Sequence, residues 1–212
     1  MVGVPTNFQA ISNVLPTYNF VDIAAGTGFI NFYAGNTVDL KVLNNYTYYS
    51  DAPFYSVASQ GGGQADQLKL DEDYDVILNR PLDVRGQCIL NVPVGLSCNS
   101  GAGNDAYTYI IAFIRKWDGA VETDLATNTS TVFKCLSASI QYSMLAIDLN
   151  VALTHFKIGE TLRLTIRQYL TTTGVAGTCY YGHDPKNRST GWDTTGAVPS
   201  QLVFQCPVRL NL

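Results

Sequence analysis

Few residues in this chain have the type and spacing to do chemistry. There are two histidines, His155 and His183, so acid–base pairs are scarce. His183 heads the run His183-Asp184-Pro185-Lys186-Asn187-Arg188, where a carboxylate beside an imidazole suggests general-base work. Adjacent residues of an extended chain point to opposite sides, however. Asp-Pro more readily opens a turn in which the Asp accepts backbone N–H bonds, and a structural loop is the expectation. His155, within Leu153-Thr154-His155-Phe156-Lys157, is expected at a turn before a strand. The densest acidic group is Asp71-Glu72-Asp73-Tyr74-Asp75. On a strand, Asp71, Asp73 and Asp75 share one face and would repel unless a cation such as Ca²⁺ sat among them. EF-hand spacing is absent, so the preferred reading is a solvated strand face whose charges deter edge pairing.

The five cysteines, Cys88, Cys98, Cys135, Cys179 and Cys206, include no C-x-x-C pair. Zinc and redox readings are therefore weak. Cys88 and Cys206 alternate with apolar residues and are expected as buried thiols rather than disulfide partners. There is no Gly-x-Ser-x-Gly elbow and no His-Glu-x-x-His pair, and no glycine cluster runs into Gly-Lys-Ser/Thr. No residue is accordingly assigned a catalytic, cofactor-binding or metal role, and a protein without enzymatic activity or cofactor is expected.

Tyrosine is the stronger clue. There are 13 in the chain, with clusters at Tyr46, Tyr48, Tyr49 and Tyr55 and again at Tyr180 and Tyr181. Tyrosine offers large contact area with a polar tip at low entropic cost, which suits protein interfaces and equally suits stacking on sugars. Asn45-Tyr46-Thr47, Asn128-Thr129-Ser130 and Asn187-Arg188-Ser189 match the glycosylation acceptor pattern.

The elements that must position these residues are strands. Ala106–Trp117 alternates Tyr107, Tyr109, Ile111, Phe113, Arg115 and Trp117 against Ala106, Thr108, Ile110, Ala112, Ile114 and Lys116. Both faces are largely apolar, as in a central strand covered on both sides, and Asp118-Gly119 follows as a hairpin turn. Residues 161–170 set Leu162, Leu164, Ile166 and Gln168 against a wet face of Arg163, Thr165, Arg167 and Tyr169. Residues 201–212 turn Leu202, Phe204, Cys206, Val208, Leu210 and Leu212 inward and Val203, Gln205, Pro207, Arg209 and Asn211 outward. Further strands are expected near 19–23, 29–33, 67–70, 74–78, 88–94, 131–135 and 144–150. Turns separate them at 25–28, 61–63, 79–81, 101–105 and 174–177. Only 146–156 allows a short helix, and a strand is preferred there. The expected core comprises Tyr107, Tyr109, Ile111, Phe113, Leu162, Leu164, Ile166, Phe204, Val208 and Leu210.

These patterns predict an all-β chain: a single antiparallel, jelly-roll-like β-sandwich domain of roughly eight to ten strands over residues 17–212. Residues 1–16, held from regular structure by Pro5 and Pro16, form an amino-terminal arm. At 212 residues the chain can bury about 70% of its unfolded surface without disulfide or metal staples. Charged residues make up 14%, against about 25% in an average soluble protein, and 46% are hydrophobic. That excludes a coiled coil and a disordered chain. A net charge of −4 disfavours direct nucleic-acid binding, and no apolar run is long enough for membrane insertion. The first residues lack the basic start and continuous apolar stretch of a secretory signal.

The run Leu153 to Leu164 (LTHFKIGETLRL) resembles the turn and strand found late in viral and tumour-necrosis-factor-like jelly rolls. Taken with Phe29–Tyr33, Arg115–Gly119, His183-Asp184-Pro185 and a closing strand, the chain is similar to uncharacterised structural proteins of marine viruses. The resemblance covers roughly residues 17–212, transfers no catalytic residue, and implies localisation in a virion. Its role there would be a capsid subunit, a capsid decoration or vertex component, or a tail-associated part. Partners would be itself, as a homo-oligomer, and other virion proteins. The alternative is an adhesin module that binds a glycan or receptor at a host surface.

Overall fold

The computed structural model describes residues 27–37, 40–48, 55–98, 105–135, 138–188 and 199–209. The expected arm at 1–16, the strand at 19–23, Tyr49, most of the 101–105 turn, and Leu210 lie outside them. The described residues form twelve strands and no helix, more strands than the eight to ten expected. They are β1 (Thr27–Asn36), β2 (Lys41–Asn44), β3 (Tyr55–Gln60), β4 (Gln64–Ile77), β5 (Leu82–Cys98) and β6 (Ala106–Trp117), followed by β7 (Glu122–Thr129), β8 (Phe133–Cys135), β9 (Gln141–Phe156), β10 (Thr161–Thr172), β11 (Gly177–Gly182) and β12 (Val203–Arg209).

Two layers enclose one core. In the first, long β5 pairs along one edge with β9, and along the other with β12 and then β11. Beyond β12 come β1 and β2, and beyond β11 comes β3. In the second layer β4, β10 and β6 lie side by side, with β7 and β8 sharing the far edge of β6. A single parallel bridge, Val42 to Asp75, joins the layers on one side. On the other side the Asn128 amide of β7 donates to the Asp148 carbonyl of β9 at 2.8 Å and to its carboxylate at 3.1 Å. All other pairings are antiparallel, so the fold is the all-β sandwich that period-two patterning predicts.

Local chemistry explains the turns. Between β6 and β7 the Asp118 carboxylate accepts the Ala120 and Val121 N–H groups at 2.9 and 2.7 Å. Those bonds hold its pKa below the usual carboxylate value, and Gly119 takes φ +98°. Where β5 and β9 slip register between Val84 and Gly86, Gly86 adopts φ +112°, a bulge that a side chain would strain. The segments expected at 67–70 and 74–78 are one continuous strand, β4. The short helix considered at 146–156 is strand, within β9, and His155 is the penultimate residue of that strand rather than part of a turn.

The core holds Leu162, Leu164, Ile166, Phe204 and Val208 as expected, with Phe32 stacked on Phe204 at 6.1 Å. Tyr107, Tyr109, Ile111 and Phe113 correct the expectation: they are half-buried on the outer face of the second layer. The opposite parity, Ala106, Thr108, Ile110, Ala112 and Ile114, is fully buried. With both faces apolar the period alone does not fix the direction. Small residues let the layers approach closely, while the rings outside are covered by arginines. In β12, Val203, Gln205 and Pro207 are also buried rather than outward, because β12 lies centrally between β5 and β1; Arg209 is exposed.

These placements separate two phenylalanines that the pattern treats alike. Phe204→Ala should cost about 3–5 kcal/mol in urea unfolding. Phe113→Ala should cost only about 1–2 kcal/mol, since it loses cation–π contacts and partial burial on an outer face. Equal losses would contradict the assigned direction of β6.

Candidate functional site

Two arrangements bring chemistry-bearing residues together. The first is the outer face of β4, β10 and β6. Register places Asp75, Arg163 and Arg115 in one row, Asp73, Thr165 and Phe113 in the next, and Asp71, Arg167 and Ile111 in a third. Arg163 grips Asp75 through Nε and Nη2 at 2.7 and 2.8 Å, and Arg167 meets Asp71 at 3.1 Å. The side-by-side arginines Arg115 and Arg163 share Glu122, at 3.1 and 2.8 Å. Carboxylate hydrogen bonds raise the Arg163 pKa further, so the guanidinium stays charged. The acidic run is thus an exposed strand face whose aspartates are met by arginines; β4 pairs with β10 along one edge and with β2 on the other through the Val42 to Asp75 bridge alone. Aromatic rings complete the face. Phe113 lies under the guanidinium groups of Arg115 and Arg167 at 4.7 and 4.9 Å, Trp117 under that of Arg163 at 5.9 Å, and Tyr109 stacks on Tyr169 at 5.0 Å. Leu68, in register with Tyr169, is exposed.

The second arrangement is buried on the other side of β4. Alternation that sends Asp71, Asp73 and Asp75 outward sends Glu72 and Tyr74 inward. There the Glu72 carboxylate accepts Ser56 Oγ–H from β3 at 2.7 and 2.8 Å, and Tyr74 O–H at 3.1 Å. It also meets Tyr181 O–H of β11 and the Lys41 ammonium of β2. Burial alone would raise its pKa, but the hydrogen bonds of Lys41, Tyr181 and Ser56 outweigh that and leave it below the usual value. Burial, reinforced by the Glu72 charge, pushes both tyrosines well above theirs. The group is an ionised carboxylate held by neutral donors and one cation.

His183 completes this cluster. It is fully buried against the rings of Tyr74 and Tyr181, at 5.8 and 5.7 Å, with Nε2 3.3 Å from Ser56 Oγ. Because the Ser56 proton goes to Glu72, Nε2–H donates to Ser56, while Nδ1 has no partner among the described residues. Nucleophilic serine chemistry needs the reverse, a serine proton moving to an imidazole backed by a carboxylate. Burial lowers the His183 pKa to about 4, so the ring is neutral. Gly182 fixes the approach: a side chain there would meet the Ser200 backbone at 2.6 Å. Asp184 behaves as Asp-Pro chemistry predicts. Its fully buried carboxylate accepts the N–H of Lys186 and Arg188 at 3.1 and 2.6 Å and the Arg188 guanidinium at 2.8 Å.

The remaining candidates lie elsewhere. His155 is exposed and pairs with Asp83 at 2.6 Å. All five cysteines are buried thiols and none is in a disulfide among the described residues; Cys88 and Cys206 lie 4.0 Å apart. Burial pushes the Cys179 thiol up to about 12. Of the tyrosine clusters, Tyr46 is 61% exposed and Tyr55 packs on Tyr180, but Tyr181 is buried, contrary to expectation. Sequence reasoning missed Lys41 and Ser56 altogether. The signal that was available is the parity of Glu72 and Tyr74, opposite to the three aspartates.

No family model and no curated protein matches the chain. Among solved structures it is similar to an aminopeptidase from a marine sediment Thaumarchaeota archaeon, with TM-score 0.54 and 11% identity over 85% of this chain and 37% of that one. A CocE/NonD family hydrolase from Staphylococcus aureus gives TM-score 0.51 and 16% identity over 87% of this chain and 37% of that one. The chain therefore spans little more than a third of the length of these hydrolases, and the likeness shows the fold alone. Infectious bursal disease virus aligns at TM-score 0.30 and 10% identity, over 83% of this chain and 42% of that one, too low to carry an argument.

The buried cluster makes stability depend on pH. Between the ordinary 6.5 and about 4 the unfolded chain takes up a proton that folded His183 refuses. The stability from the neutral ring is therefore complete above pH 6.5 and lost as pH falls through about 4; Glu72, whose pKa is lowered, adds loss in the same direction below 4.5. Urea melts should show wild type losing roughly 2–3 kcal/mol more than His183→Gln between pH 7 and pH 4.5. Parallel pH slopes for the two proteins would refute the assignment.

Proposed function

We propose that this chain is a non-enzymatic structural protein that assembles through protein contacts, with copies of itself and with other proteins of a virion. The observation that carries the reading is the outer face of β4, β10 and β6. Tyr107, Tyr109, Ile111, Phe113 and Trp117 run half-buried along about 33 Å of β6 outside the core, and Leu68 and Ile77 of β4 are exposed on the same face. Contiguous aromatic and apolar surface on a soluble domain marks a contact region. Tyrosine, tryptophan and arginine are the residues enriched at such contacts. The three arginines of this face each have a carboxylate partner within it, so a neighbour can cover them without stranding an unmatched guanidinium.

The virion setting comes from the resemblance of the turn-and-strand pattern. A chain poor in charge and rich in Thr, Asn and Tyr supports it, because many identical copies then pack without accumulating repulsion. Closed cyclic symmetry is the expected form of the homo-oligomer.

Sedimentation of the purified protein should show a concentration-dependent oligomer. The Tyr109→Glu/Tyr169→Glu variant should weaken assembly at least about tenfold with the sandwich still folded, since aromatic anchors at interfaces are commonly worth more than that. A wild-type protein that stays monomeric at high concentration, and is absent from purified particles by mass analysis, would overturn the reading.

A further inference from the structure

At one end of the sandwich a cleft of about 450 Å³ opens between β1, the end of β2, and the turn joining β4 to β5. That volume is within the range of small-molecule sites. Its floor is apolar and part of the core, with Phe32 3% and Leu78 8% exposed. Its rim is polar: the side-chain amides of Asn44, Asn45 and Asn79, and the Arg80 guanidinium. Among the described residues none of these four side chains is engaged in a hydrogen bond or ion pair. Arg80, like Arg85 and Arg209, has no carboxylate partner among the described residues, whereas Arg115, Arg163, Arg167 and Arg188 each have one. Tyr46 stands beside the rim with 61% of its surface open, and Tyr48 meets it edge-on at 6.3 Å, so that a ring face is left available.

We infer that this cleft binds an acidic sugar unit of a glycan. An exposed ring stacks on the apolar C–H face of a pyranose. Side-chain amides offer a donor and an acceptor side by side, which match neighbouring hydroxyls. An unpaired guanidinium supplies the fork that a carboxylate or sulfate takes up. The three features converge on one opening, and among the described residues the four polar side chains take no part in holding the fold. The turn Asn79-Arg80-Pro81 places the amide and guanidinium together because Pro81 fixes the chain direction immediately after Arg80. The inference is independent of the assembly reading, since the stacked pair Tyr109–Tyr169 lies outside the cleft.

The test uses the bacterially expressed 212-residue chain, so that the acceptor Asn45 carries no glycan. Binding of 3′-sialyllactose, a glucuronate-containing disaccharide, a galactose sulfate and neutral lactose is followed by saturation-transfer NMR and titration calorimetry. At least one acidic probe should bind near the millimolar range expected for a single sugar unit and at least about tenfold more tightly than lactose. Arg80→Gln should remove that preference while leaving any lactose binding unchanged. Tyr46→Ala should abolish binding of both, with melting temperatures of the two variants near wild type. The Tyr109→Glu/Tyr169→Glu variant should bind as wild type does, even if assembly fails. No binding of any probe, equal affinity for acidic and neutral probes, or full binding by Tyr46→Ala would overturn the inference.

Discussion

A carboxylate that gives up most of its water must receive donors from the protein, and Glu72 receives them from four strands. Lys41 comes from β2, Ser56 from β3, Tyr74 from its own β4 and Tyr181 from β11. Of these, β2 and β4 are the strands at which the first layer passes over into the second, and backbone pairing is thinnest there, at a single bridge. The side-chain network does there what a ladder of amide bonds does elsewhere. Removing one donor leaves a buried charge short of partners, which costs more than the net worth of the hydrogen bond itself. Neutral His183 belongs to the same constraint. A cation in its place would have to share the carboxylate that Lys41 already neutralises, and burial keeps the ring uncharged instead.

The same strand divides labour by parity. Odd positions of β4 between 71 and 75 carry aspartates that meet arginines on the outer face, while Glu72 and Tyr74 close the interior. A one-residue slip would send three carboxylates into the core and bring Glu72 into solvent, so register is strongly specified without a long apolar run. The facing β10 is written to match. Arg163 and Arg167 sit opposite Asp75 and Asp71, and Leu162, Leu164 and Ile166 alternate with them on the core side. Both faces of the sheet therefore vote for one pairing.

That division explains what was legible in the sequence. Alternation in 106–117, 161–170 and 201–212 was enough for an all-β sandwich, and Asp118-Gly119 and Asp184-Pro185 announced their turns through side-chain acceptors. The direction of β6 was not legible, because aromatic residues on one parity and small apolar ones on the other are both compatible with burial. What decides is the partner across the sheet: Arg167 is in register with Ile111, and reaches Phe113, only on the outside. Tyr181 was read as part of an interface cluster and Ser56 was not read at all. Their roles come from β11 and β3 meeting β4 through contacts more than a hundred residues apart for Tyr181, a relation that no local pattern encodes. The short strands β2, β3, β7 and β11 were missed for a related reason, since they are held by their neighbours and not by their own periodicity.

Cleft and outer face both derive from the end of one strand. Past Asp75 the chain of β4 leaves its arginine partners, and the next residues change character. Val76 and Leu78 continue the interior while Ile77 is exposed in register with Thr161 and, beyond it, Trp117. Asn79 and Arg80 then have no strand partner and turn toward Asn44 and Tyr46 at the end of β2. Charges that a sheet neighbour would neutralise are left for something else to meet. At this end of the fold polar side chains are left over where strand pairing stops, while along the outer face the arginines are paired and lie against aromatic rings.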